Sequence, residues 1–504
     1  MTVNFNVSFS FTMSFWSILV LALYGVGLVG ITLYTVAQVH LVYHYLKSKS
    51  GNSHTTQSLK SHPVVTIQLP IFNELYVVNR LIDAVAQFDW PKDKFEIQVL
   101  DDSTDETVEI IAQKVEEWQQ KGIDIKHVQR DSREGYKAGA LEYGQKRAKG
   151  EFIAIFDADF VPEPDFLVRT LPVFTDEEIG MVQTRWGHLN EDYSLLTKAL
   201  AFALNGHFTV EQMGRNQADF FMNFNGTAGV WRKSCIVDAG GWEHDTITED
   251  LDLSYRAQMK GWEFKYLEDV VSPAEIPVAI SAIKTQQYRW TKGSAESARK
   301  HLGNVWNTEN SLIKKLQATS HLLNSSVFIF ILLISIFSVP ALYIKAQQPE
   351  LSLLFQVASV FLIGFVGWIL FYGTSFIEQR GSTADKIKRM LFMFPVFLSI
   401  SMAFAVHNSV AVIKGYMGKT SPFIRTPKFN ITQLSDRWEN NKYLINKMDA
   451  TSIIEGLLVL YFLGGIALAF ILGDWGLLPF HVMLFAGYSI IFGYSLYENM
   501  LKPA

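Results

Sequence analysis

Long apolar runs bracket a charged middle in this chain, and no other feature limits its folding so strongly. Phe15–Tyr43 precedes the charged residues 47–310, and Ser325–Ile344, Leu351–Phe376, Ser452–Leu472 and Leu477–Tyr497 follow them. Each run supplies roughly 20 apolar residues, the length a helix needs to cross a ~30 Å hydrocarbon layer. The first run is too long for a signal-peptide core. No Lys or Arg precedes it in Met1–Ser14, so it reads as a retained transmembrane helix. The sequence therefore predicts a multi-pass membrane protein with a soluble domain inserted between spans.

A sixth apolar stretch, Met390–Val412, contains Pro395, Ser399, Ser401, His407 and Asn408 and is flanked by Lys386, Lys388, Arg389 and Lys414. If it lies in the interface, five helices span. Nearly every flanking cation then collects on the side of the soluble block, and the far side keeps Lys345. If it crosses, the basic 414–450 segment falls on the far side, against the positive-inside bias. The interfacial helix is favoured, with a polar sixth span as the alternative. The expected organisation is a transmembrane helix in 1–46, a soluble domain in 47–300 and an interfacial helix in 301–324. Two spans follow in 325–376, then an interfacial helix and loop in 377–450, and two spans with a tail in 451–504.

The net charge of −5 supplies no dominant basic face, which argues against a nucleic-acid partner. A single cysteine, Cys235, excludes an intramolecular disulfide, and no Cys/His spacing suits zinc.

Within the soluble block, short apolar strands alternate with helical patterns, predicting a doubly wound, mostly parallel α/β sheet. Strands are expected at Val65–Leu69, Glu96–Leu100, Ile123–Val128, Phe152–Phe156, Gly180–Thr184 and Trp262–Leu267, with helices at Tyr76–Phe88 and Ala138–Arg147. Ligands bind beyond the carboxyl ends of strands in such sheets. Asp101, Asp102, Asp157 and Asp159 all stand there.

Two carboxylates two residues apart, Asp157 and Asp159, can hold Mg²⁺ or Mn²⁺ against a diphosphate, since these ions favour oxygen ligands. The plain alternative is a strand-end turn. Asp101 and Asp102 can accept hydrogen bonds from a ribose or base, or cap the next helix. Glu74, after the first strand, has a similar position. Lys137, in a glycine-rich helix start, is a diphosphate candidate or a solvated cation. Asp250, beside Glu249, can act as a general base with Glu249 as a supporting acid; acids in a first helical turn also complement the macrodipole. Gln286, Arg289 and Trp290 fall within about one and a third helical turns. Arg289 can neutralise a leaving diphosphate and Trp290 can carry a sugar ring, or both can anchor the interface. Asn225 and Trp186 sit in stretches whose amides and aromatics suit a carbohydrate. His188 and His207 show no metal or triad spacing and read as structural.

Taken together these motifs resemble family-2 glycosyltransferases, most closely the plant cellulose-synthase-like mannan and glucan (xyloglucan-backbone) synthases. The resemblance is carried by Asp89–Asp93, Val99–Asp105, Gly135–Leu141, Phe156–Phe160, Phe224–Arg232, Thr248–Asp252 and Gln286–Trp290, and runs through most of residues 65–295. It implies a GT-A fold and inverting transfer of glucose or mannose from UDP-glucose or GDP-mannose to a β-linked, β-1,4 polysaccharide. It further implies Mg²⁺ or Mn²⁺ at Asp157 and Asp159, Asp250 as base, Gln286, Arg289 and Trp290 on the acceptor and diphosphate side, and Asp102 and Glu74 at the nucleotide. A non-processive glycolipid synthase with a lipid acceptor is the alternative. Bacterial cellulose synthase has a gating loop of pattern Phe-x-Val-Thr-x-Lys. Here Phe423, Thr426 and Lys428 match it and Arg425 replaces Val. The expected setting is a membrane with a cytosolic active site, the cell membrane in a bacterium or the Golgi in a plant. Membrane lipids are partners and an oligomer is left open.

Overall fold

Among the described residues, seven strands form one sheet in the order β3-β2-β1-β4-β6-β5-β7. They are β1 (Val65–Ile71), β2 (Phe95–Asp101), β3 (Ile125–Gln129), β4 (Phe152–Ile155), β5 (Ile179–His188), β6 (Gly229–Arg232) and β7 (Glu263–Ala274). The computed structural model describes residues 14–49, 59, 61–360, 363–377, 382–419, 421–439, 441–444 and 448–501; the expected tail beyond residue 501 and part of the 377–389 loop lie outside them.

β1 pairs in parallel with β2 and β4, β2 with β3, and β5 with β7, whereas β6 runs antiparallel between β4 and β5. The sheet is mostly parallel, as expected. β6 was not foreseen: it has four residues, all buried, too few for any periodicity to show. The order reverses between β1 and β4, and this switch point opens the crevice where a ligand can sit.

The helices cover the sheet with apolar faces. In α2 (Val78–Ala86) the buried residues Val78, Leu81, Ile82 and Val85 recur at helical spacing. α3 (Thr107–Gln120) buries Ile111 and Val115, and α4 (Tyr136–Gln145) buries Ala138 and Leu141. A later helical run joins α5 (Leu195–Gly206) to α6 (Gln212–Gln217) through one π-helical turn, His207–Glu211. α7 (Glu249–Met259) and α8 (Ile280–Trp306) complete the parts that frame the crevice. α8 runs through residue 300, the expected end of the soluble domain.

Among the described residues, five helices are long and apolar enough to cross a membrane: Phe15–Lys49 (α1), Asn324–Gln347, Pro349–Ile377, Ala450–Leu472 and Leu478–Met500. The sixth apolar stretch falls in two helices, α9 (Thr383–Ala403) and α10 (Ala405–Tyr416), bent by 50° to each other. α10 packs along α8.

Buried polar contacts fasten α8 to the last two apolar helices, α11 (Ala450–Leu472) and α12 (Leu478–Met500). The Glu498 carboxylate accepts from the free backbone N–H groups of Ile280 and Ser281, serving as a cap for α8. One turn on, Lys284 lies 2.7 Å from Glu455 and donates to Ser452 at 2.9 Å. Both ions are almost wholly buried, so each needs the other.

Candidate active site

Every site residue expected from the sequence except Asp101 lines a single cavity at the carboxyl end of the sheet. Asp157 and Asp159 follow β4, and the Asp157 N–H donates to Thr227 Oγ1 at 2.8 Å. From the first turn of α4, Lys137 Nζ reaches 2.6 Å from Asp157 Oδ1 and 2.8 Å from the Gly226 carbonyl, with Glu249 3.9 Å away. Burial lowers the pKa of Lys137, but Asp157 and Glu249 more than reverse this, and the amine is held above its ordinary value. The chain enters α4 through Gly135 at φ 69° and Tyr136 at φ 49°. A left-handed tyrosine is rare, and the conformation is what aims Lys137 inward.

Asp250 stands in the first turn of α7, where its Oδ1 accepts from the Leu251 N–H at 2.8 Å. The turn holding Gly226 lies against it. A Cβ on Gly226, whose φ is +79°, would meet Asp250 Oδ2 at 2.9 Å. Burial first, and the charge of Glu249 second, push the Asp250 carboxyl up to about 7, with Lys137 opposing. Glu249 is also raised, by burial. A carboxylate poised there is suited to general-base work near neutral pH. Behind it, Thr248 packs on α8 so closely that a Cβ on Gly293 would meet Thr248 Cγ2 at 2.4 Å. The helix bearing Gln286, Arg289 and Trp290 thus also backs the turn bearing Asp250.

The segment expected to be a gating loop is seated in the cavity. Arg289 donates to Thr426 Oγ1 at 2.8 Å and lies 4.8 Å from the Phe423 ring centre, while Lys428 Nζ is 2.5 Å from Asp159 Oδ2. Arg425, where the family pattern has Val, pairs with Glu74 at 2.8 Å. Burial pushes the Glu74 carboxyl up to about 7 against the pull of Arg425 and Lys428.

Asp101 is turned away. Its buried carboxylate accepts from Ser103 N–H at 2.9 Å and meets His127 Nε2 at 2.7 Å, fixing the β2 end instead of facing the cavity. Asp102 does face it, held by a two-pronged contact from Arg130 at 2.7 and 2.6 Å. On the other wall stand Trp186 and Asn225. The buried Gln183 side chain fixes the 225–228 turn, accepting from Asn225 N–H at 2.9 Å and donating to the Thr227 and Ala228 carbonyls.

Two carboxylates of hard oxygen donors at the switch point fit a divalent ion that shares its coordination with a diphosphate. Asp157 and Asp159 supply that set, each facing one lysine. A second acidic group, Glu243, Asp245 and Asp252, has its charge met within the protein: Lys300 Nζ lies 2.6, 2.7 and 2.8 Å from the three.

Several participants escape sequence reasoning. Glu275, at the end of β7, accepts from Phe429 N–H at 2.8 Å and pairs with Arg80, which also donates to Asn430 at 2.8 Å. Together they anchor the loop carrying Lys428. A strand-end acid was the signal that found the other aspartates and would have found this one. Arg130 had no such signal, because its partner is 28 residues away in sequence.

Comparison with known proteins shows what the chain is similar to. The model of the family described as glycosyltransferase like family 2 matches residues 62–293, and that of cellulose synthase matches residues 232–446. Glucomannan 4-beta-mannosyltransferase 1 of Oryza sativa subsp. japonica is 39% identical over 64% of this chain and 66% of its own length. Glucomannan 4-beta-mannosyltransferase 7 of Arabidopsis thaliana is 37% identical over 62% of this chain and 60% of its own. The rice protein named Probable glucomannan 4-beta-mannosyltransferase 2 is 35% identical over 82% of this chain and 70% of its own. The chain thus spans just under two thirds of the first two relatives' length. Among solved structures, a Pyrobaculum calidifontis mannosyltransferase in complex with GDP-Man and Mn²⁺ superposes with a TM-score of 0.52 at 17% identity, covering 79% of this chain and all of that one. The fold is GT-A.

Proposed function

The chain belongs to glycosyltransferase like family 2, and from that premise we propose that it transfers mannose from GDP-mannose, with inversion, to the growing end of a β-1,4-linked polysaccharide. The observation carrying this reading is the meeting of Asp250, Asp157, Lys137 and Arg289 in one cavity beside apolar helices. The curated relatives named above favour mannose over glucose as the sugar.

In this reading Asp250 takes the proton from the acceptor hydroxyl as its oxygen bonds to the anomeric carbon. The bond from that carbon to the diphosphate breaks on the opposite face, and GDP departs. Arg289 and Lys137 face the departing charge; Asp157 and Asp159 would hold Mg²⁺ or Mn²⁺, which would supply charge neutralisation at the diphosphate. Asp102 and Glu74 serve the nucleotide side. Gln286, Trp290, Trp186 and Asn225 line the side where the acceptor lies. The apolar helices support a multi-pass membrane protein, and in this reading the catalytic domain stands on the cytosolic face.

The test is to incubate membranes containing the protein with radiolabelled GDP-mannose or UDP-glucose and digest the product with linkage-specific enzymes. Label from GDP-mannose in a polymer cut by endo-β-1,4-mannanase supports the reading. Label confined to a single-sugar lipid, or a polymer made from UDP-glucose alone, overturns it.

A further inference from the structure

The π-helical turn His207–Glu211, the single one among the described residues, lies directly behind the acceptor wall. Such turns are rare and collect at functional sites. Two consecutive side chains of this turn serve that wall. His207 Nε2 lies 3.1 Å from Asn225 Oδ1, and the Phe208 ring stacks on Trp186 with centres 4.8 Å apart. The Phe208 carbonyl in turn accepts from the Tyr266 hydroxyl.

His207 is itself held. Its Nδ1 is 2.9 Å from Glu211 Oε2, and Glu211 Oε1 takes Arg215 at 2.9 Å. Burial would raise the Glu211 carboxyl, but Arg215 and His207 more than reverse this and keep it well below the usual range. An ionised carboxylate only accepts, so the proton on that ring edge belongs to Nδ1. Asn225 Oδ1, which also accepts from Asn223 Nδ2 at 3.0 Å, likewise only accepts, so Nε2 meets it through an N–H and the ring bridges the two acceptors.

The two wall residues that this turn supports share a feature. Asn225 Nδ2 and Trp186 Nε1 are buried N–H donors with no hydrogen-bond partner in the protein, and both residues line the cavity. Buried donors left unpaired are costly, and a ligand's oxygen atoms can repay that cost.

We propose that His207 is a positioning residue for the acceptor: seated on the Glu211–Arg215 pair, it fixes the Asn225 amide so that Asn225 Nδ2 and Trp186 Nε1 donate to hydroxyl oxygens of the acceptor sugar. The proposal rests on the transferase reading above, and it assigns His207 a role at the acceptor with none at the donor. Removing the imidazole leaves Glu211 paired with Arg215, so no buried charge is stranded.

The experiment compares wild type, His207→Ala and His207→Asn, each purified as the full chain. Three quantities are measured: binding of β-1,4-mannohexaose by calorimetry, the KM for GDP-mannose, and hydrolysis of GDP-mannose by water without acceptor. The expected result for His207→Ala is about tenfold weaker hexaose binding, the size set by one lost buried hydrogen bond. Donor KM and donor hydrolysis stay unchanged, and His207→Asn recovers part of the hexaose affinity. Hexaose binding unaltered by His207→Ala overturns the proposal. So does a parallel loss of hexaose binding, donor affinity and donor hydrolysis, which is the mark of a general structural role. A wild type that binds hexaose through His207 but neither hydrolyses nor transfers from GDP-mannose supports the positioning role while overturning the donor assignment.

Discussion

Lys137, on the first turn of α4, donates to Asp157 beyond the end of β4 across 2.6 Å. The same ammonium lies 3.9 Å from Glu249 and opposes the upward shift of Asp250. One cation thus serves both the strand-end acids and the helix-start acids. Replacing Lys137 with Met removes that restraint, so Asp250 should hold its proton to higher pH. The acid limb of the kcat/KM profile is expected to move upward in pH, and a pH series on the variant checks it.

Asp250 itself can accept a proton only when ionised. Because burial and Glu249 push its carboxyl up to about 7, wild-type kcat/KM should rise with pH through about that value and fall away below it. Asp250→Asn is expected to lose about 10²–10⁴ in kcat while retaining donor binding, measured by calorimetry with GDP-mannose.

At Gly226 and Gly293, close approach excludes a side chain next to the turn that carries Asp250. Gly226→Ala would force a methyl against Asp250 at a φ of +79°, and Gly293→Ala would push Thr248 off α8. Displacements near 1 Å cost about 10²-fold in rate. Each variant should lose about that much kcat at constant protein yield, with steady-state kinetics as the readout.

The Lys284–Glu455 pair is a stability element outside the cavity. Glu455→Gln leaves Lys284 buried without its charge partner and should cost about 3–5 kcal/mol. The double replacement Lys284→Met with Glu455→Leu should recover most of it. Thermal unfolding in detergent distinguishes the two.

Much of this site is visible in the sequence because acids at strand ends announce themselves by position. Asp102, Asp157 and Asp159 each follow an apolar strand, and the sheet delivers them to one crevice. Asp101 has the same signature, yet its carboxylate turns to His127, a neighbour strand's residue that no local pattern predicts. β6 was hidden by its length, and Arg130 and Glu275 by the distance of their partners along the chain. His207 illustrates the limit best: its spacing fits no triad or metal motif, and its contact with Asn225 arises from a π turn that sequence periodicity does not register. Arg425 was legible as a departure from the gating pattern, but its pairing with Glu74 was not.

The proposed transfer requires one cavity to serve donor and acceptor together. Its most direct test is a cryo-electron microscopy map of the full chain with GDP-mannose and Mn²⁺ added to the Asp250→Asn variant. The diphosphate is expected between Asp157, Asp159 and Arg289, with the anomeric carbon facing residue 250 and the guanine toward Asp102. Nucleotide density in any other part of the molecule, with residue 250 remote from the sugar, would contradict it.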